Sequence, residues 1–142
     1  MPKVAIIFMD KKKLIVTIAR DSNGYGAWIE NFAGVYGEGD TVHEAKENLL
    51  DGLSFFIKHN KELPKILQED HEIAYRFDTS SFLQYYSDIF TKSALERMTG
   101  INQKQLGHYV SGYRNPSKKT VEKIDNAIHQ LSNELNQVCL TS

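Results

Sequence analysis

The chain is 142 residues long, 41% of them hydrophobic, and carries 17 Lys and Arg, 18 Asp and Glu and a single Cys. This length suits one ordinary domain or two small ones, and an apolar content of this size with a net charge of −1 excludes a disordered chain. No apolar run approaches the roughly 20 residues of a membrane span, no signal peptide begins the sequence, and the lone Cys139 fits a reducing compartment, so we expect a cytoplasmic protein that has no membrane segment.

The charge is distributed unevenly along the chain. Residues 1–87 hold ten Lys and Arg against thirteen Asp and Glu, a net charge of −3, whereas residues 88–142 hold seven against five, a net charge of +2. Residues 97–121 contain no carboxylate. Their basic side chains are Arg97, Lys104, Arg114, Lys118 and Lys119. We therefore expect the two parts to meet different partners and the second to present a local basic face.

The first part of the chain predicts a small sheet. Residues 14–20 are rich in β-branched side chains and lead into Asn23-Gly24, the sequence of a tight hairpin turn, so residues 25–29 form the returning strand. Residues 35–39 form a short third strand, in which glycines allow close backbone approach. The remaining candidate strands are residues 71–77, where apolar side chains alternate, and residues 4–8.

One amphipathic helix is predicted after the third strand. Thr41 and Glu44 have the spacing of a capping box, in which each side chain binds a backbone amide at the start of a helix. Apolar residues then recur at steps of three or four and form a stripe that packs on the sheet. The stripe consists of Val42, Ala45, Leu49, Leu53 and Phe56. The helix is expected to end near Asn60, before Pro64.

The second part predicts only helices. A first helix takes Thr79 or Ser80 as its N-cap. Its inward stripe is Phe82, Leu83, Tyr86, Ile89 and Phe90. A last, longer helix opens at Ser117, and the residues expected to face inward are Val121, Ile124, Ile128, Leu131 and Leu135. Between them, Thr91 caps a short helix that ends at Gly100, and Asn102 caps another that ends near Gly112.

The two short helices have the form of a helix-turn-helix, whose second helix enters the major groove of DNA by its N-terminal end. Gln103 and Lys104 lie in the first turn of that helix and His108 one turn further on the same exposed face, and Gln and Lys are among the side chains that reach base edges. The amides at the helix N-terminus are expected to offer a phosphate site. The candidate DNA-binding residues are Lys92, Asn102, Gln103, Lys104, His108, Arg114, Lys118 and Lys119. The alternative is a plain helical hairpin with a solvated lysine face.

Residues 94–128 resemble the Cro and phage-repressor type of helix-turn-helix. The resemblance rests on Gly-Ile-x-Gln at 100–103, Ser-Gly-x-Arg-x-Pro-Ser at 111–117 and Thr-Val-x-Lys-Ile at 120–124. One position departs from that pattern, because Glu96 stands where the family usually has a small Ala packed between the two helices.

Residues 14–60 resemble the N-terminal domain of HicB-type antitoxins. The matching elements are Asp-Ser-Asn-Gly-Tyr-Gly-Ala-Trp at 21–28, Gly34-Val35, Gly-Asp-Thr-Val-His-Glu-Ala at 39–45 and Asn48. The resemblance implies an α+β protein with two domains: a partial ribonuclease-H-like antiparallel sheet with one helix in residues 1–78, and an all-α helix-turn-helix domain in residues 79–142. It also implies an antitoxin that neutralises a small HicA-type mRNA-cleaving toxin and represses its own operon.

Catalysis is not expected, although the implied fold is that of a nuclease. Metal-dependent RNA cleavage needs several carboxylates around a divalent cation. The candidates are Asp21, Glu38, Asp40 and Glu44, but a hairpin turn explains Asp21 and a capping box explains Glu44. The five His lack metal-ligand spacing, and the glycines at 34, 37 and 39 precede no Gly-Lys-Ser/Thr, so we expect no metal, no cofactor and no catalytic residue.

An RNA-binding toxin presents positive charge, so the acidic first domain is suited to cover it, with aromatic contacts from Tyr25, Trp28 and Tyr36. Double-stranded operator DNA is the second expected partner. One recognition helix reads few bases, so we expect a homodimer or higher oligomer on two half-sites about 34 Å apart. Either the sheet edge or the Leu131 and Leu135 stretch is a candidate contact. Two alternatives remain: a stand-alone transcription regulator whose first domain binds a ligand or dimerises, and a metal-dependent RNA hydrolase.

Overall fold

The computed structural model describes residues 13–68 and 70–142, and the strand predicted at residues 4–8 lies outside them. The chain divides into two compact units, Met1–Ser81 and Phe82–Ser142. The fold class is α+β, as predicted: the first unit holds a four-stranded sheet with a helix, and the second holds the helix-turn-helix region. None of the helices in the described residues is long and apolar enough to span a membrane.

The sheet of the first unit has the strand order β3-β2-β1-β4. Its strands are β1 (Lys13–Asp21), β2 (Gly24–Ile29), β3 (Tyr36–Gly39) and β4 (Glu72–Phe77). β1 and β2 form the predicted antiparallel hairpin, and β3 pairs antiparallel with β2. β4 runs parallel to β1, so the sheet is mixed and not wholly antiparallel. A parallel neighbour requires a crossover connection, and the helix that follows β3 provides it.

That helix, α1 (Val42–His59), begins at the predicted capping box and packs on β3 and β2. Thr41 Oγ1 accepts a hydrogen bond from the amide of Glu44 at 3.1 Å, while Glu44 Oε2 accepts from the amide of Asp40 at 2.8 Å and not from that of Thr41. Gly37 on β3 explains the close packing, because a Cβ there would overlap the backbone of α1. The sequence therefore predicted both the start of α1 and the glycine-containing strand β3 on which it packs.

Two short helices flank β4 along the chain: α2 (Lys65–Gln68) precedes it and α3 (Thr79–Tyr85) follows it. The N-cap predicted for α3 was wrong by one or two residues, because Asp78 accepts a hydrogen bond from the amide of Ser81 through Oδ1 at 2.7 Å. α3 also ends earlier than the apolar spacing predicted. Ile89 follows it in a turn and is 69% exposed, so Ile89 does not belong to the inward stripe.

The second unit continues with α4 (Lys92–Thr99), α5 (Gln103–Ser111) and α6 (Lys118–Leu135). Its buried core consists of Leu83, Leu95, Ile101, Leu106, Tyr109 and Ile124. The stripe predicted on α6 is only partly inward. Ile124 is buried and Ile128 packs against the core, whereas Val121 near the start of α6 and Leu135 at its end are exposed.

Candidate nucleic-acid interface

α4 and α5 begin and end at residues whose local chemistry favours helix ends. Thr91 Oγ1 accepts a hydrogen bond from the amide of Ala94 at 3.1 Å, and Asn102 Oδ1 accepts from that of Gln105 at 2.8 Å. α4 ends at Gly100, which has a φ of 77°. Because side chains strain this left-handed conformation, a glycine is favoured at the turn between the helices. The helix boundaries predicted from the sequence are confirmed here.

The turn between α4 and α5 is held by Thr99. Its hydroxyl donates to the carbonyl of Leu95 at 2.6 Å and accepts from the amide of Ile101 at 3.1 Å. Thr99 and Ile101 are both buried, and Ile101 belongs to the core of the unit. The turn therefore sets the direction of α5 relative to α4 through buried hydrogen bonds that water cannot replace.

The exposed side of α5 carries the residues that the sequence pointed to. Leu106 and Tyr109 face the core, and helical geometry puts Lys104 and His108 on the opposite side. Gln103 and Lys104, in the first turn, are exposed, and His108 is half-buried. α5 thus presents amide, ammonium and imidazole groups on one side, and the first two are of the types that contact base edges in the major groove.

One cation lies near this side of α5, and others follow α5 in the chain. Lys92 lies near it, because a Cβ built on Gly107 would lie 3.6 Å from Lys92 Nζ. Arg114 follows α5, and its amide donates to the carbonyl of His108 at 3.2 Å, which ties the following loop to the helix. Lys118 and Lys119 open α6 and are exposed. These positions are suited to contacts with the DNA backbone.

Tyr113 is a residue of this surface that the sequence reasoning missed. It is 72% exposed, and its ring centroid lies 5.0 Å from that of His108. The guanidinium carbon of Arg114 lies 5.9 Å from the centroid of the Tyr113 ring. Tyr113 therefore extends the surface of α5 with an aromatic group. Its position within residues 97–121, which contain no carboxylate, is the sequence feature that could have identified it.

The N-terminus of α5 is less open to an anion than the sequence suggested. The amide of Gln103 donates to Glu96 Oε2 at 3.1 Å, and Asn102 occupies the amide of Gln105. Two of the first three amides of the helix therefore have partners within the chain. The Glu96 carboxylate does not point away from the helix pair; it bridges α4 and α5.

A family model of helix-turn-helix domains matches residues 87–129. This segment is a helix-turn-helix, and the match supports a DNA-binding role for it. The match spans α4, α5 and the first two thirds of α6, with all eight candidate DNA-binding residues inside it. It supports a transcription regulator. No curated protein and no solved structure matches the chain significantly.

The three aromatic residues proposed for partner binding lie on two different faces of the sheet. Tyr25 is 5% exposed, and its hydroxyl accepts a hydrogen bond from Arg20 Nη2 at 2.9 Å. Its register partner Gly39 lies against α1, so Tyr25 faces the helix and belongs to the core. This burial removes Tyr25 as a contact for a partner, because alternate residues of a strand point to opposite faces.

Trp28 and Tyr36 are register partners on the face away from α1. Tyr36 is 57% exposed, and its hydroxyl lies over Gly26, where a Cβ would be 2.7 Å from it. The row continues through Thr17 on β1 to Arg76 on β4. We call these four residues, with Glu30, the aromatic row. The four strands thus bring a tryptophan, a tyrosine and charged groups side by side.

Glu30 connects the members of the aromatic row. Its Oε1 accepts hydrogen bonds from Thr17 Oγ1 at 2.7 Å and from Trp28 Nε1 at 3.1 Å. The same oxygen lies 3.6 Å from Arg76 Nη1, and both side chains are partly exposed. Glu30 therefore fixes the orientation of the indole. No local sequence pattern predicts this network, because Arg76 lies 46 positions after Glu30.

Two of the four candidate nuclease carboxylates, Asp21 and Glu44, have local structural roles. Asp21 Oδ1 accepts from the amide of Asn23 at 2.8 Å within the hairpin turn, and Glu44 belongs to the capping box. Within residues 13–68 and 70–142, no group of three or more His, Cys, Asp and Glu is arranged to hold a metal ion. The helix-turn-helix match points to a DNA-binding role, and nothing positive indicates catalysis.

Proposed function

We propose that this protein is a cytoplasmic antitoxin, not an enzyme, that represses its own operon. In this proposal residues 79–142 bind operator DNA, and residues 1–78 bind and neutralise a small basic, HicA-type mRNA-cleaving toxin. The observation that carries the DNA-binding half is the exposed side of α5, which lies within the helix-turn-helix match and has the cation of Lys92 near it. The toxin-binding half rests on the resemblance of residues 14–60 to HicB-type antitoxins.

Seven of the eight candidate residues divide into two roles on DNA, and the eighth, Asn102, has a structural role. Gln103, Lys104 and His108 lie on α5 and are assigned to base edges in the major groove. Lys92, Arg114, Lys118 and Lys119 are assigned to phosphates, and Asn102 is assigned to holding the N-terminus of α5. Base contacts give sequence preference, whereas phosphate contacts give affinity for any duplex.

On the toxin side, the aromatic row supports the proposal. Trp28 and Tyr36 supply the large, partly exposed rings that dominate many protein interfaces. The exposed Glu38 adds negative charge near them, and residues 1–87 carry a net charge of −3. Long-range attraction then guides a basic toxin to this face, and burial of the two rings holds it there.

The oligomer is proposed to form through α6. Its apolar residues are spaced by alternating steps of three and four, the repeat of a two-helix seam. They are Val121, Ile124, Ile128, Leu131 and Leu135, which we call the α6 seam. Exposure rises from 3% at Ile124 to 58% at Leu135. A second copy packed along the exposed end would bury the side chains there, such as Leu135, and present two recognition helices to two half-sites.

The experiment that tests the proposal first asks whether a short reading frame for a small basic protein lies beside the gene for this chain; the absence of such a frame favours the stand-alone regulator. Where the frame is present, its product is expressed alone and together with the chain, and growth, co-purification and binding to the upstream DNA are measured. The proposal expects growth arrest by the small protein, rescue by the chain, a stable complex and a shifted upstream fragment. A shifted fragment without toxin binding supports the stand-alone regulator, and metal-dependent RNA cleavage by the purified chain supports the hydrolase. Either result contradicts the antitoxin.

A further inference from the structure

Glu96 occupies an unusual place for a carboxylate in a DNA-binding helix pair. It lies on α4, half-buried, and its Oε2 accepts a hydrogen bond from the amide of Gln103, the first residue of α5, at 3.1 Å. The bond spans seven positions and joins the two helices across their turn. Glu96 is also the last carboxylate before the stretch 97–121, which has none.

The Glu96 carboxylate has opposite effects on the free protein and on the DNA complex. A negative charge at a helix N-terminus is favourable, because the helix dipole and unpaired amides are positive there. A phosphate group also binds favourably at this positive end of a helix. Glu96 accepts a hydrogen bond from the amide of Gln103, and Asn102 accepts one from the amide of Gln105. Neither amide is therefore open to a phosphate, which is also repelled by the negative charge of Glu96.

We propose that Glu96 is a specificity-determining residue that suppresses sequence-independent binding by the N-terminus of α5. Binding to random DNA comes almost entirely from phosphate attraction, whereas binding to the operator adds contacts from Gln103 and Lys104 to base edges. A carboxylate that repels phosphate at this end weakens every duplex complex. This loss of affinity is largest on random DNA, where α5 has only phosphates to bind. There the protein takes positions in which the positive N-terminus of α5 lies against phosphates.

The test compares Glu96→Gln with the wild-type chain, and it rests on the DNA-binding function proposed above. Gln keeps an acceptor for the amide of Gln103 and removes only the charge. Affinities are measured by fluorescence anisotropy over a range of salt concentrations. The probes are a duplex selected from a random library by the wild-type chain and a scrambled duplex of the same composition. Glu47→Gln, an exposed change on α1, makes the same change in net charge and is the matched control.

The expected result is a rise of about threefold to tenfold in affinity for the scrambled duplex, the size of one charge interaction at about 4 Å in water. The rise is smaller for the selected duplex, so the ratio of the two affinities falls, and the salt dependence on the scrambled duplex becomes steeper. Glu47→Gln leaves the ratio unchanged. An unchanged or lower affinity of Glu96→Gln for scrambled DNA overturns the proposal.

A second variant separates charge from structure. Glu96→Ala removes both the charge and the acceptor, so a purely structural role predicts a lower melting temperature and weaker binding for Glu96→Ala, with Glu96→Gln equal to wild type. That pattern overturns the proposal. A wild-type chain that binds no duplex at all would contradict the proposed DNA-binding function itself. The titration of the wild-type chain shows this without any variant.

Discussion

The side chain of Asp78 binds the backbone of Arg20: its Oδ2 accepts a hydrogen bond from the Arg20 amide on β1 at 3.0 Å. The other oxygen, Oδ1, caps α3 through the amide of Ser81, and the amide of Asp78 itself donates to the carbonyl of Ile18 at 3.1 Å. One residue thus joins the parallel strand pair to the helix that follows it.

We expect Asp78→Ala to lower the free energy of unfolding by about 1–3 kcal/mol, because it removes a helix cap and leaves a strand amide without its acceptor. Urea unfolding followed by circular dichroism measures the change. Asp88→Ala, at an exposed position in the turn after α3, is the control and should lie within about 0.5 kcal/mol of wild type. Equal stability of the two variants would show that the Asp78 contacts contribute nothing net.

Local signals predicted much of the fold, because their physics involves few residues. The capping residues Thr41, Thr91 and Asn102 each need only an amide three positions away, and each was found in place. The direction of β4 depends on pairing between β1 and residues more than 50 positions later, which no local pattern encodes.

The candidate site was predictable to a similar degree. Lys104 and His108 follow from helical spacing once Leu106 and Tyr109 are recognised as core. Tyr25 was misjudged because alternation along a strand tells which residues share a face but not which face the helix covers. Glu96 was noticed only as a departure from a pattern, since its bond to Gln103 requires the turn to be folded.

The aromatic row yields a prediction about toxin binding. Trp28→Ala and Tyr36→Ala should each weaken binding of the neighbouring small protein by about tenfold or more, because large interface aromatics account for much of the binding energy. Affinity for the upstream DNA should not change. Isothermal titration calorimetry and DNA anisotropy on the same preparations measure both.

Phe55→Ala is the matched control for these variants. Phe55 lies on α1, is 64% exposed and stacks on His59, so it is an exposed aromatic outside the aromatic row. Toxin affinity that falls equally in Phe55→Ala, or that stays at the wild-type value in Trp28→Ala and Tyr36→Ala, would remove the aromatic row from the toxin interface.

Gln103→Ala and Lys118→Ala should weaken DNA binding in different ways. Loss of a base contact relaxes the preference at one or two positions of the operator, at a cost of about 1–3 kcal/mol on the selected duplex and little on random DNA. Loss of a phosphate contact weakens all duplexes and reduces the slope of log K against log salt by about one. Titrations against selected and scrambled duplexes at four salt concentrations distinguish the two. Parallel losses on both duplexes for both variants would contradict the assignment.

The α6 seam predicts that oligomerisation and operator binding fail together. Leu135→Asp puts a charge at the most exposed position of the seam, where a second copy would bury it, so the chain should become monomeric in analytical ultracentrifugation. Binding to a duplex with two half-sites should then fall by about a hundredfold, because the second helix is no longer tethered. Binding to one half-site should be unchanged. Leu140→Asp, at a position that is 90% exposed and beyond the end of α6, is the control. A Leu135→Asp chain that remains dimeric would contradict the α6 seam as the oligomer contact. The edge of the sheet would then be the next surface to test.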